Sequence, residues 1–235
     1  MSPDKNLYLF AFLKILERLP ITLTIMFLSL AFGIALGMII AIIRIRKRKV
    51  SYFFATLYLS FIRCTPVLVQ LFLVFYGLPQ VLLLIGIDIN KWNAVIFAVF
   101  AFSLHSSALL SEIIRSAYLS VGSAQQEAAY SVGMTYWQSL KRIILPQAFR
   151  VALPNLGNDL IMLLKETSLA FTIGVTDIMG QATIILYNNY GSNVFELYLM
   201  ISVIYWIICI MIESSVHYLE KISARGYVKL VKKGA

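Results

Sequence analysis

The chain has 235 residues, of which 60% are apolar and only 13% charged, against about 45–50% and about 25% in a soluble globular chain. With a mean hydropathy of +0.83 it lacks the polar skin a soluble fold needs, and the expectation is an all-α polytopic membrane protein. The net charge of +9 does not point to nucleic acid, because the basic residues gather at the ends of apolar runs, where they set topology.

Residues 1–20 are not a signal peptide, since they lack a basic start and their apolar run carries Lys14, Glu17 and Arg18. They read as an external amphipathic segment lying on the outer leaflet. Thr22–Ile43 is an uncharged first span of bilayer length. It contains Gly33 and Gly37, a GxxxG pattern suited to close helix packing, and ends on the basic run Arg44–Lys49. A second helix is expected over Tyr52–Leu78, with Arg63, Thr65, Pro66 and Gln70 inside it. Two readings of Arg63 are open. Either it lies about 16 Å into a helix kinked by Pro66, or Thr65 is an N-cap with Pro66 at the first helical position, which leaves Arg63 at the cytoplasmic interface. Gly77, Pro79 and Gly86 mark an external turn, and Trp92 an interfacial anchor.

The third span is Trp92–Ser111, with His105 in its middle, where a lone histidine usually bonds a neighbouring helix. Glu112 and Arg115, three apart, read as an interfacial ion pair. The stretch Arg115–Pro154 is too polar to span. In it Ser123 with Gln126, and Thr135 with Gln138, form two capping-box patterns. Gly133 suits the end of the first short helix, and Pro146 and Pro154 limit the second. Two short helices joined at a glycine elbow and presenting Ala128, Ala129, Met134 and Tyr136 are suited to a partner's groove.

The fourth span, Leu156–Val175, gathers Asn158, Asp159, Lys165, Glu166, Thr167 and Ser168. Asp159, Met162 and Glu166 share a helical face. A zwitterionic substrate needs an acceptor for its ammonium and a donor for its carboxylate, and this helix offers both. The plainer reading makes Asp159 interfacial and pairs Lys165 and Glu166 with neighbouring helices. The fifth span is Phe195–Val216. Five spans put the termini on opposite sides. Placing Arg44–Lys49, Arg115–Pro154 and the 220–235 tail inside puts five, four and five Lys and Arg there, fourteen in all, with four outside. The N-terminus is therefore external and the C-terminus cytoplasmic. Cys64 and Cys209 have no metal or disulfide spacing.

One pattern in the polar loop is long and has fixed spacing. Glu127-Ala128-Ala129, three residues, Gly133, nine residues, Ile143, one residue and Leu145-Pro146 resembles at every position the EAA loop of bacterial ABC importer permeases. Arg63-Cys64-Thr65-Pro66, ending at Gln70, is similar to a segment of the branch serving polar amino acids, the histidine/glutamine-type permeases, which usually has Gly at the Cys64 position. Ser111-Glu112-Ile-Ile-Arg115, Leu156-Gly157-Asn158 and Lys165-Glu166-Thr167-Ser168-Leu169 resemble that branch too, and residues 153–175 look most like its cystine-type members. The branch often has Asn in the segment that holds His105, a departure that bears on substrate and sets His105 among the substrate-pathway candidates with Asn158, Asp159, Lys165, Glu166, Thr167 and Ser168.

The resemblance covers about residues 20–220. It implies a type I ABC importer permease fold over 21–219, with the coupling loop at about 115–154 and a basic tail at 220–235. It further implies a second permease copy or homologue, two cytoplasmic ABC ATPase subunits that bind the ATP and Mg, an external substrate-binding protein and residence in the bacterial cytoplasmic membrane. Glu127, Ala128, Ala129, Gly133 and Met134 are the residues implied to couple ATPase closure to the pore. Arg63, Thr65, Pro66 and Gln70 are implied to be structural. The chain has no G-x-x-x-x-G-K-[ST] with which to cradle ATP phosphates, so it is not expected to be an enzyme or to hold a cofactor. The competing class is an ion-coupled secondary amino-acid transporter acting alone. That class usually shows repeated halves with broken helices, and no internal repeat is evident.

Overall fold

The computed structural model describes residues 5–189 and 193–233; Ser2 and Gly234, near the two ends whose sides the charge bias assigns, lie outside it. Every regular element among the described residues is helical. They are α1 (Lys5–Leu16), α2 (Leu19–Arg46), α3 (Lys49–Cys64), α4 (Val67–Phe72), α5 (Leu78–Leu83), α6 (Ala94–Ser120), α7 (Ser123–Ser131), α8 (Tyr136–Ser139), α9 (Leu145–Glu166), α10 (Ile178–Asn188) and α11 (Val194–Lys233). A π turn joins α4 to α5 (Leu73–Gly77) and another joins α8 to α9 (Leu140–Ile144), and a 3-10 segment (Thr167–Ile173) follows α9.

Among the described residues, three stretches are long and apolar enough to cross a bilayer by themselves, Tyr8–Arg46, Ala94–Ser120 and Val194–Ser223. Counting each of two bent helix pairs as one span gives five. The first bent pair corrects the expectation of one continuous helix over Tyr52–Leu78. A proline pushes the residue before it into extended backbone, and Thr65 obeys, with φ −106° and ψ 138°. The helix stops at Cys64 and restarts after Pro66, and the axes differ by 112°. Arg63 therefore occupies the last turn of α3, beside a break. The capping residue is Pro66, not Thr65.

Other prolines act differently from expectation. Pro154 lies inside α9 and does not end it. Pro79 and Pro146 each stand just beyond a π turn, at the start of α5 and α9. In both turns a bond to the fifth residue back, Leu78 N to Leu73 O and Leu145 N to Leu140 O, replaces the usual one. The wider turn makes room ahead of a ring that would collide with the carbonyl four residues before it. Gly77 and Pro79 thus continue a helical path rather than forming an external turn; the turn itself comes at Gly86, with φ +81°.

The core forms where α2, α6, α9 and α11 meet, around Ile25, Met26, Phe97, Phe102, Leu163 and Leu164. The GxxxG pattern does pack closely. A Cβ on Gly37 would lie 3.0 Å from Ser107 O, and one on Gly33 3.3 Å from the Ser106 Cβ, so α2 rests directly on α6. A second cluster buries Ala11 and Ile15 of α1 against Ile178 and Ala182 of α10 and Leu197, Ile201 and Ile204 of α11. Through these contacts α1 is part of the helix packing.

Candidate functional site

Three helices bring a line of polar side chains together. Gln70 of α4, buried, turns its amide back onto the break. Its Nε2 donates to Ile62 O at 2.7 Å and to Thr65 O at 2.9 Å, satisfying carbonyls that the end of α3 leaves without partners. Both amide hydrogens are thereby used, and Oε1 faces His105 Nδ1 of α6 at 3.1 Å. The ring must therefore donate from Nδ1. Its Nε2 lies 3.4 Å from Glu166 Oε1 at the end of α9. With Nδ1 carrying a hydrogen, that contact closes only with a second proton, held by the ring or by the carboxyl. One residue on, Ser106 Oγ donates to Asp159 Oδ2 at 2.9 Å.

The candidates from the fourth span thus separate. Asp159 and Glu166 face α6, whereas Lys165 is exposed. The hydroxyls of Thr167 and Ser168 bond back to their own chain, at Leu164 O (2.7 Å) and Lys165 O (2.6 Å). Asn158 and Asp159 line a cleft of about 290 Å³ together with Arg63, Glu112, Asn155 and Met162. Glu112 is held by Arg115, whose Nε is 3.3 Å from its Oε2, and by Arg44 from α2. The cleft therefore offers a guanidinium donor and a carboxylate acceptor, opposite charges of the kind that match the two ends of a zwitterion. Sequence reasoning does not reach Ser106 or the His105–Glu166 contact; the serines at 103, 106, 107 and 111 are the available signal for a small, polar helix face.

The second group follows the C-terminal end of α6. Gly122, at φ +76°, precedes α7, and Ser123 is its first residue, so the Ser123 capping box does not form. Gln126 instead donates to the Tyr130 hydroxyl at 2.7 Å. The Thr135 box does form: Thr135 N donates to Gln138 Oε1 at 2.9 Å and Gln138 N to Thr135 Oγ1 at 3.4 Å. Between the two helices Gly133 takes φ +80°. Gly133 N bonds Tyr130 O at 2.9 Å and Met134 N bonds Ala129 O at 3.1 Å, the paired bonds of a Schellman cap. Ala129 is buried and Met134 half-buried, while Glu127 and Ala128 are exposed. Tyr130, Val132, Tyr136 and Trp137 add exposed apolar surface, Trp137 at 73%, and a patch of that kind marks an interaction site.

Residues 33–222 match the family profile described as binding-protein-dependent transport system inner membrane component. The chain is 42% identical over 214 residues to the L-cystine transport system permease protein TcyL of Bacillus subtilis (strain 168), covering 91% of this chain and 88% of that one. It is 41% identical over 224 residues to the probable amino-acid permease protein YxeN of the same organism, covering 95% and 97%. Among solved structures, an amino acid ABC transporter with histidines superposes with a TM-score of 0.81 at 33% identity, covering 94% of this chain and 99% of that one.

Proposed function

The chain belongs to the binding-protein-dependent transport system inner membrane components, as an amino-acid ABC importer permease, and from that premise we propose how it works and what it carries. The substrate is a polar amino acid of the cystine type; the likeness to TcyL supports this reading. The permease pairs with a second copy or a homologue, sits on two ATPase subunits that bind ATP and Mg, and receives substrate from an external binding protein. The α7–α8 pair docks on the ATPase through Glu127, Ala128 and the exposed aromatic patch. ATP binding closes the ATPase pair, the docked helices follow, and the two permease halves rock outward. Hydrolysis restores the inward-open form. Nucleotide and loaded binding protein act by favouring different conformations of one assembly. Along the pathway, Asp159 accepts from the substrate ammonium and Arg63 donates to its carboxylate, with Asn158 beside them.

The observation that carries the coupling reading is the exposed helix pair itself, fixed by a Schellman elbow and a capping box, with Glu127, Ala128 and Trp137 left open. Glu127→Lys reverses a charge on its open face without touching the elbow. In liposomes holding the whole transporter, this variant is expected to insert and pair but to lose uptake, with the ATPase released or unstimulated by loaded binding protein. Normal uptake and normal stimulation would refute the docking role. A thermal-shift screen of the binding protein against cystine and the other polar amino acids tests the substrate separately.

A further inference from the structure

An open groove of about 880 Å³ runs between α2, α3 and α6, away from the cleft and from the helix pair. Leu36, Ile40 and Ile43 of α2, Phe54 and Ala55 of α3 and Leu104 of α6 make its walls apolar. One end is basic. Arg48 and Lys49 line it, at the corner where Lys47 turns the chain with φ 51°, and Arg46 and Lys47 stand exposed beside them. Arg44 is engaged by Glu112, but none of Arg46, Lys47, Arg48 and Lys49 has an ion-pair partner among the described residues. The other end is largely apolar. Tyr58 lines it, and its hydroxyl is already bonded to Leu104 O and Ser107 Oγ, each at 2.8 Å. From Lys49 to Tyr58 the slot runs roughly 13 Å along α3, at 1.5 Å per residue.

An apolar slot with an unpaired cationic mouth matches an amphiphile with a hydrocarbon tail and an anionic head. We propose that the groove binds one anionic glycerophospholipid of the leaflet that carries the Arg44–Lys49 run. An acyl chain lies against Ile40, Phe54 and Ala55, and the phosphate is held by Arg48 and Lys49. The bound lipid fills the space between α3 and its neighbours α2 and α6, and so holds α3 in place ahead of the Thr65–Pro66 break.

The test uses the assembled transporter in micelles, exchanged into phosphatidylglycerol or phosphatidylcholine, delipidated, and examined by native mass spectrometry for retained lipid. Phosphatidylglycerol is expected to remain at one molecule per permease and phosphatidylcholine to wash out. Arg48→Ala with Lys49→Ala should weaken retention roughly twenty-five-fold, at about five-fold per basic side chain. Ala55→Trp fills the slot with the charges intact and should abolish retention. Lys141→Ala with Arg142→Ala removes two basic residues elsewhere and should leave it unchanged. Equal retention of both lipids, retention unaffected by Ala55→Trp, or an equal loss from the Lys141 and Arg142 pair would overturn the proposal. So would a cross-link from a cysteine at Ser51 to the second permease subunit, since that would place protein over the groove.

Discussion

Replacing Gly133 with valine separates the shape of the elbow from its chemistry. No atom lies within 4 Å of the position a Cβ would take there, so the side chain meets no steric block and empties no core. The cost is the backbone's alone. Holding an L-residue in the left-handed region costs about 1–2 kcal/mol, more for a β-branched one. Against it stand the two elbow bonds, from Gly133 N and Met134 N, each contributing about 1 kcal/mol. The terms are comparable, so the variant is expected to spread between the native elbow and others with negative φ, while a domain stability of about 5–15 kcal/mol keeps the permease folded and inserted. Asparagine tolerates the left-handed region, so Gly133→Asn should keep the elbow. The assay is ATP hydrolysis by the reconstituted transporter with and without loaded binding protein. Stimulation should fall in the valine variant and survive in the asparagine one. Equal stimulation in both would refute the link between elbow geometry and coupling; equal loss in both would show that something other than φ matters at this position.

Asp159→Asn and Glu166→Gln are each expected to reduce uptake while the ATPase stays on the membrane, measured by flux and co-purification; normal flux with unchanged selectivity in both would remove them from the pathway. Gln70→Leu withdraws the donor from Ile62 O and Thr65 O and should lower stability by about 1–3 kcal/mol, read as an earlier thermal unfolding midpoint. For orientation, in a background lacking Cys64 and Cys209, an impermeant thiol reagent should label a cysteine at Ser2 from outside and one at Gly234 only after permeabilisation.

Much of this architecture is legible in residue order because lipid leaves few choices. Apolar runs of bilayer length must be helices, and the basic run after Ile43 ends one of them. The Thr65–Pro66 break is visible as one of two readings, since the rule for a residue before proline is local. The π turns are not visible. Pro79 and Pro146 announce a disturbed helix, but whether the chain stops or widens depends on what the neighbouring helices demand. Continuation of α9 through Pro154 is hidden for the same reason. In the candidate site, Asp159 and Glu166 can be placed on one face by spacing alone. Their partners Ser106 and His105 come from a helix more than 50 residues away in the chain, and no periodic pattern encodes which faces meet. The elbow at Gly133 is the easiest feature to read, because its bonds all lie within six residues.

The π turn at Leu140–Ile144 also sets a phase. It lies between α8, at the exposed elbow, and α9, which carries Asp159 and Glu166. Deleting one residue from it would restore an ordinary α-helical ladder and rotate everything upstream by about 100° relative to α9. The Trp137 surface would then point to a different quarter of the compass while the Ser106–Asp159 and His105–Glu166 contacts stayed put. Pro146 opposes that repair, because it has no amide hydrogen to complete the ladder and its ring crowds the carbonyl four residues before it. A proline next to an extra residue thus works like a keyed shaft: it fixes the angle between the exposed elbow and the helix that carries Asp159 and Glu166.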